Sequence, residues 1–206
     1  MQVLTWFLMF WNGEVGSCDL FRRGAVWGPA VLEEPWRLVA SAFLHRDIWH
    51  VASAMILQMA VGPRVEAAVG SSVFLWVYFM TGAAGKLVSV TMDVQALSLG
   101  ASAHMVGVLG ARLGYGLALW KKSPREARVQ TLVLLVLTLV VLGTDVVIPG
   151  SDAVGHFGAF VAGLLLVLGV FGHVGEVAIV VGIVVGGLRV VFLALDAVPR
   201  TVPVGC

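Results

Sequence analysis

The apolar positions of this 206-residue chain are grouped into long blocks, which short polar stretches separate. Most blocks hold about 20 residues, the length that an α-helix needs to cross about 30 Å of hydrocarbon. The pattern therefore predicts an all-α, polytopic membrane protein, folded as a single domain over residues 1–206. Seven transmembrane helices are predicted, near residues 2–12, 48–62, 71–91, 101–120, 129–148, 153–172 and 174–197.

Composition supports this assignment to the membrane. Hydrophobic residues make up 59% of the chain and charged residues 12%, with a mean hydropathy of +0.98, whereas a soluble domain has about 25% charged residues. The net charge of +1 gives no reason to expect a nucleic-acid partner, and the lipid bilayer is the expected partner. Cys18 and Cys206 match no metal or redox spacing, so we expect free thiols unless both chain ends meet on an oxidising face.

The orientation follows from the basic run KKSPREAR at 121–128, the densest in the chain. Basic loops tend to face the cytoplasm, so the second, fourth and sixth predicted helices begin at the outer face. The segment 13–47 is too apolar for a solvated loop and too interrupted for a span. It is expected to lie partly in the membrane interface, with Trp27 and Trp36 as anchors.

Polar side chains are concentrated where these three helices begin. His45 and His50 lie at the start of the second helix, Ser102 and His104 at the start of the fourth, and His156 at the start of the sixth. Polar groups inside a membrane are costly unless they are satisfied. Their predicted common depth in one leaflet therefore indicates a shared site more strongly than any one of these residues does alone.

Acyl transfer is the chemistry that this group of side chains favours. A neutral imidazole can take the proton of a serine hydroxyl and so turn it into a nucleophile. At the start of a helix, the free backbone N–H groups beside Ser102 can stabilise an oxyanion, and His50 can add a side-chain donor. No carboxylate is obviously placed to orient His156, although Asp145 and Asp152 are near it in sequence, so a serine–histidine dyad is predicted.

Each of these residues also has a structural interpretation. Serine in a membrane helix rich in glycine and alanine is commonly a small residue that packs against a neighbouring helix. A histidine at a helix start commonly makes an interfacial hydrogen bond, and His104 is assigned to this class. There is no H-E-x-x-H motif, and no metal or cofactor is predicted. Small residues spaced by four permit a close helix contact at which His156 reaches Ser102: Gly155, Ala159 and Gly163 in the sixth helix, and Gly110 and Gly114 in the fourth.

Four segments in order resemble the rhomboid intramembrane serine proteases over roughly residues 30–172: PWRLVASAFLHRDIWHVASAM, GPRVEAAVGSSVFLWVYFMTGAAGKLVS, GASAHMVGVLGA and GHFGAFVAGL. The resemblance implies a rhomboid-like six-helix bundle. The helix predicted at 174–197 adds a seventh at the carboxyl end, as in the eukaryotic secretory type. A multi-pass serine-type endopeptidase of the secretory pathway or plasma membrane, rather than the mitochondrion, is implied. Its substrates would be single-span transmembrane proteins.

The resemblance also assigns roles to residues. Ser102 becomes the nucleophile and His156 the general base. His50 becomes an oxyanion donor, together with the backbone at Ser102 and at Gly100, whose turn exposes the serine. Three further positions are assigned to structure: Trp36, Arg37 and His45. Glu66 is also given a structural role, because its position suits capping and neutralising the inner end of the second predicted helix.

The chain departs from the family pattern around the dyad. Ala54 stands where the family usually has an asparagine, Ala103 replaces the glycine after the serine, and Val106 replaces an aromatic residue. Losing one oxyanion donor costs on the order of 10²–10³ in rate, so a slow enzyme is predicted. The alternative is a rhomboid-like pseudoprotease that binds membrane clients and regulates their folding or traffic. Retention of both Ser102 and His156 favours the enzyme.

Overall fold

The computed structural model describes residues 16–148 and 150–171, together with Cys206. Seven α-helices lie in these residues: α1 (Ser17–Arg22), α2 (Arg37–Ala40), α3 (Ile48–Val69), α4 (Ser71–Met92), α5 (Ser102–Ala118), α6 (Arg125–Val147) and α7 (Ala153–Phe171). Two short strands, β1 (Val26–Trp27) and β2 (Leu97–Ser98), pair antiparallel. Three 3₁₀ turns complete the described part: Gly28–Ala30, Ser41–Phe43 and Trp120–Lys122.

Five of the seven predicted helices are present, as α3 to α7, and the predicted helices at 2–12 and 174–197 lie outside the described residues. The predicted end of α3 at residue 62 is wrong, because the helix continues through Pro63 to Val69 and ends at Gly70. Hydropathy marks where the apolar run stops, whereas a helix can continue beyond it into a polar environment. Gly70 has φ +82° and so terminates the helix.

Two helices of the described part, α4 and α6, are long and apolar enough to cross a membrane. The apolar stretch of α4 is half buried inside the bundle, whereas that of α6 is mostly exposed. Large apolar side chains cover the outward face of α6: Val129, Leu132, Val133, Val136, Leu139 and Val140. Such a face needs an apolar solvent, which a bilayer supplies.

The centre of the bundle is α5, which is buried along most of its length and packs most closely against α7. Glycines allow the two backbones to touch. A Cβ built on Gly163 would collide with the carbonyl oxygen of Gly107, and one on Gly110 would collide with the carbonyl oxygen of Phe160. Of the small residues predicted to permit close approach, Gly110 and Gly163 therefore lie at a backbone-to-backbone contact between α5 and α7.

Between α1 and α3, the chain is fixed by a buried arginine. The Arg37 guanidinium is buried and donates hydrogen bonds to the carboxylate of Glu34 and to the carbonyls of Phe21 and Ala25. It ties this segment together, which agrees with a structural role for the Trp-Arg pair. Trp36 is half exposed, but Trp27 is buried in the β1–β2 pair. The expectation that Trp27 anchors the interface is therefore wrong, because its strand pairing draws the ring into the protein.

The expectation of free thiols is also wrong, because Cys18 in α1 forms a disulfide with Cys206. The two residues are 188 positions apart in the sequence. Their spacing carried no signal for this pairing, since it depends on both ends meeting in three dimensions. The disulfide connects residue 206 to the segment that precedes α3.

Candidate active site

Ser102 is the first residue of α5, and a tight turn after β2 presents it. The turn depends on Gly100, whose φ of +100° is a conformation that other residues rarely adopt. Two backbone groups of the turn are held by the preceding segment. The N–H of Gly100 donates to the carbonyl of Ser41 at 2.8 Å, and the N–H of Ala101 donates to His45 Nε2 at 3.4 Å.

These bonds define what Gly100 and His45 contribute. The N–H of Gly100 is already used by Ser41, so this glycine contributes its conformation and its lack of a side chain rather than an oxyanion donor. His45 is completely buried and supports the turn through its hydrogen bond with the N–H of Ala101. Burial and the neighbouring His50 lower the pKa of His45 to about 4. At neutral pH its Nε2 is therefore free to accept the hydrogen bond from Ala101.

His50 lies in the first turn of α3, with its ring against the glycine turn. Asp47 caps the helix by accepting the His50 backbone N–H at 2.9 Å. The backbone N–H of Arg46 donates to His50 Nδ1 at 3.4 Å. In a neutral imidazole the other nitrogen then carries the proton, so Nε2 is a donor. A Cβ built on Gly100 would lie 2.5 Å from that nitrogen, which shows how closely the ring approaches the turn.

We expect Gly100→Ala to lower the rate of any Ser102-dependent reaction by roughly 10²–10³, the cost of one lost oxyanion donor. The added methyl group would displace the His50 ring and strain the turn. The measurement is the rate of labelling by a serine-reactive fluorophosphonate. Gly70→Ala is the matched control, because Gly70 also has a positive φ but has no atom within 4 Å of a built Cβ. Equal rates for the two variants would contradict the prediction.

The central contact joins α5 to α7. The hydroxyl of Ser102 lies 2.7 Å from Nε2 of His156, in a partly buried setting. His156 is itself buried, while Ser102 keeps some exposure, as a nucleophile must if a substrate is to reach it. The structure thus brings together the two residues that the sequence selected, although 54 positions separate them.

A carboxylate lies on the other side of the same imidazole. Oδ2 of Asp145 is 2.6 Å from Nδ1 of His156, and the hydroxyl of Ser151 donates to Oδ1 of Asp145 at 2.7 Å. The expectation that no carboxylate is placed beside His156 is therefore wrong. Asp145 lies in the last turn of α6, and the short connection to α7 folds back so that the side chain meets the start of the next helix.

Asp152 has a different task from Asp145. It precedes α7, where its Oδ1 accepts the N–H of Gly155 at 2.9 Å and its Oδ2 accepts the hydroxyl of Ser98 at 2.6 Å. Burial acts to raise the pKa of this carboxyl, but hydrogen bonds from Ser98, Ser89 and Gly155 and the nearby Lys86 cation outweigh it and lower the pKa. Asp152 thereby links the strand before the nucleophile to the helix that holds the base.

The remaining histidine of this region is buried inside the helical bundle. His104 is completely buried, and its ring packs beside those of Tyr78 and Phe79. A Cβ built on Gly82 would collide with the His104 ring, so the glycine makes room for it. The assignment of His104 to an interfacial hydrogen bond is wrong. His104 lies in the first turn of α5 on the face that packs against α4, so its ring enters the bundle.

The predicted departures from the family pattern are all buried around the pair. Ala54 lies one turn beyond His50 in α3, and Ala103 and Val106 lie in the first turns of α5. None of these side chains can donate a hydrogen bond. Glu66 is at the other end of α3, where its carboxylate accepts the hydroxyl of Ser71 at 2.6 Å, which agrees with a structural role.

Acidification is expected to destabilise the fold through His45. Its folded pKa of about 4 lies below the ordinary 6.5, so between these values the unfolded chain binds more protons and stability rises with pH. A drop from pH 6.5 to 5 would cost up to about 2 kcal/mol from this residue. Thermal unfolding in detergent at several pH values measures it. His45→Asn keeps an acceptor for Ala101, and the same pH slope in that variant would contradict the prediction.

Comparison with known proteins shows which family this helical bundle resembles. A family model for the rhomboid domain matches residues 32–173. Rhomboid-like protease 3 of Toxoplasma gondii is 31% identical over 160 residues, which cover 75% of this chain and 59% of that protein. RHOMBOID-like protein 5 of Arabidopsis thaliana is 34% identical over 135 residues, which cover 65% of this chain and 43% of that protein. Rhomboid protease GluP of Bacillus subtilis is 30% identical over 165 residues (79% and 32%).

The chain belongs to the rhomboid family, and as a member of that family it is a membrane protein. It spans between about a third and three fifths of the length of the three relatives described above. The family match runs from before α2 to the end of α7 and so contains the whole site.

Proposed function

We propose that the chain is an intramembrane serine endopeptidase that cleaves transmembrane protein substrates. The observation that carries the proposal is the 2.7 Å contact between the hydroxyl of Ser102 and Nε2 of His156. Membership of the rhomboid family supports it, since several relatives are named as proteases. The residue types and the geometry are those of a nucleophile and its base.

In the proposed reaction, Oγ of Ser102 attacks the carbonyl carbon of the scissile peptide bond while His156 Nε2 takes the hydroxyl proton. The carbonyl π electrons move to oxygen, and the oxyanion accepts hydrogen bonds from His50 Nε2–H and from backbone N–H groups at the start of α5. Collapse breaks the C–N bond as the imidazolium protonates the leaving amine. Water, with His156 again as base, then hydrolyses the acyl-enzyme.

The proposed substrates are single-span membrane proteins. The site lies at one end of the bundle, where α3, α5 and α7 begin, so a substrate would be cut near one end of its span. An intact helix hides its peptide bonds behind its own hydrogen bonds. Substrates with helix-weakening residues near the cut are therefore expected to be preferred.

The second candidate is a pseudoprotease that binds membrane clients and regulates their folding or traffic. Ala54 favours it, because this buried position beside His50 has no group that can bind an oxyanion. His50 and the helix N–H groups remain as donors. We therefore favour a slow enzyme over an inactive binder.

Covalent labelling by a fluorophosphonate probe distinguishes the two candidates. The detergent-solubilised protein is expected to label, and Ser102→Ala and His156→Ala are each expected to abolish labelling while keeping the melting profile. Folded protein that never labels would instead favour the pseudoprotease. Ala54→Asn is then the variant to examine, since it restores a side-chain donor next to His50.

We place the protein in the secretory pathway or plasma membrane. Support comes from the disulfide between Cys18 and Cys206, because disulfides persist in oxidising compartments and are rare in the cytosol. Titration with a maleimide under denaturing conditions tests the disulfide. Protein purified without reductant is expected to expose no thiol and to expose both after reduction. Two thiols before reduction would remove this support.

A further inference from the structure

We propose that Asp145 completes a Ser–His–Asp triad, as the residue that positions the His156 imidazole; this inference rests on the proposed function. The ring is held at both nitrogens, with Asp145 Oδ2 2.6 Å from Nδ1 and Ser102 Oγ 2.7 Å from Nε2. A carboxylate accepts hydrogen bonds, so Nδ1 carries the proton and Nε2 keeps its lone pair. That is the tautomer in which His156 can act as a base toward serine.

The carboxylate is held for this task. The Asp145 side chain is only 12% exposed and that of His156 8%, and the hydroxyl of Ser151 donates to the other carboxylate oxygen. Ser151 leaves one oxygen of Asp145 for the imidazole and fixes the plane of the group. Both oxygens therefore have a defined partner, and the ring has one orientation.

The position of Asp145 is unfavourable for a carboxylate on structural grounds alone. It lies in the last turn of the apolar helix α6, where the helix dipole disfavours a negative charge. Partial burial adds a desolvation cost. Asp152 already caps the start of α7, so Asp145 is not needed for capping. The contacts that offset these costs are the hydrogen bonds with Ser151 and with His156, and only the second reaches the reacting groups.

The triad changes the charge balance of the reaction. When Ser102 Oγ bonds to the carbonyl carbon, its proton moves to Nε2 and the imidazole becomes a cation. Nδ1–H stays on the ring and remains hydrogen-bonded to the Asp145 carboxylate, which is not itself protonated. The cation thus forms beside an existing negative charge. This offsets part of what the missing donor at Ala54 costs.

The test compares three variants by their second-order rate of fluorophosphonate labelling. Asp145→Asn is expected to lower the rate roughly 10²–10⁴-fold, because an amide can donate to Nδ1 and so favour the wrong tautomer. Asp145→Ala removes the carboxylate without imposing that tautomer, so it is expected to be no slower than the asparagine variant, and added formate is expected to restore part of its rate. Asp93→Asn, an exposed carboxylate at the end of α4, is the control and should match wild type.

The outcomes separate this inference from the function on which it rests. Labelling of wild type together with Asp145→Asn within about twofold of it would overturn the triad and leave the protease intact. An alanine variant that is slower than the asparagine variant and is not rescued by formate would show a packing role, and would also overturn the triad. Wild type that never labels would overturn both. Loss of rate in the order predicted, with formate rescue, supports the triad.

Discussion

Ser102→Ala is expected to lower substrate cleavage by roughly 10⁴–10⁶, because the variant lacks the oxygen that forms the acyl-enzyme. His156→Ala should cost a similar factor, since the hydroxyl that lies 2.7 Å from the ring would lose its base. The measurement is cleavage of a reconstituted single-span substrate, followed by gel and mass spectrometry. Residual activity is expected to come from the oxyanion donors and substrate binding alone.

Combining the two substitutions provides a sharper test than either alone. Residues that act as one unit are not additive, so the double variant is expected to be no slower than the single variants. Ser123→Ala is the matched control, because Ser123 lies beyond the other end of α5 and its hydroxyl donates only to the local carbonyl of Leu119 among the hydrogen bonds described. Cleavage that survives in Ser102→Ala would show that another group performs the reaction.

The second large effect is expected from Gly163→Val. A side chain at this position would enter the backbone of α5, colliding with the carbonyl oxygen of Gly107 and approaching the N of Ala111 to 2.8 Å. Neither of these atoms can move without moving α5. We expect a loss of about 3–5 kcal/mol, above the usual 1–3 kcal/mol for an overpacked core, because the obstacle is backbone.

Gly143→Val separates this steric effect from the general cost of valine in a helix. Gly143 is an exposed glycine of α6 with no atom within 4 Å of a built Cβ. Thermal unfolding in detergent should show a large decrease for Gly163→Val and a small change for Gly143→Val. Labelling of Ser102 should fall in parallel, because separating α5 from α7 removes the base. Equal melting temperatures would contradict the contact.

The sequence predicted the parts of the site that depend on helical periodicity. Small residues at a spacing of four permitted a close contact between α5 and α7, and the predicted helix starts gave Ser102 and His156 a common depth. Both signals are local, since they depend on positions within one helix. The contact that they permit is the one that the fold contains.

What the sequence did not show depends on how the chain turns between elements. Asp145 reaches His156 because the end of α6 lies beside the start of α7, and no helical periodicity relates positions 11 apart in two different helices. The same limit applies to the disulfide of Cys18 with Cys206. The N–H of Gly100 was assigned to the oxyanion, but its partner Ser41 lies in a segment without helical repeat.

The hydrogen bonds of Asp152 hold the nucleophile turn and the base helix together as one unit, to which Asp145 does not belong. Ser98 and Gly155 both bind this one carboxylate, so the nucleophile turn and the base helix are joined near the reacting atoms as well as along α5 and α7. Asp145 belongs to α6, which packs less extensively against the bundle. A lateral displacement of α6 would therefore withdraw the carboxylate and leave serine and histidine together. Such a motion would weaken His156 as a base without separating it from Ser102.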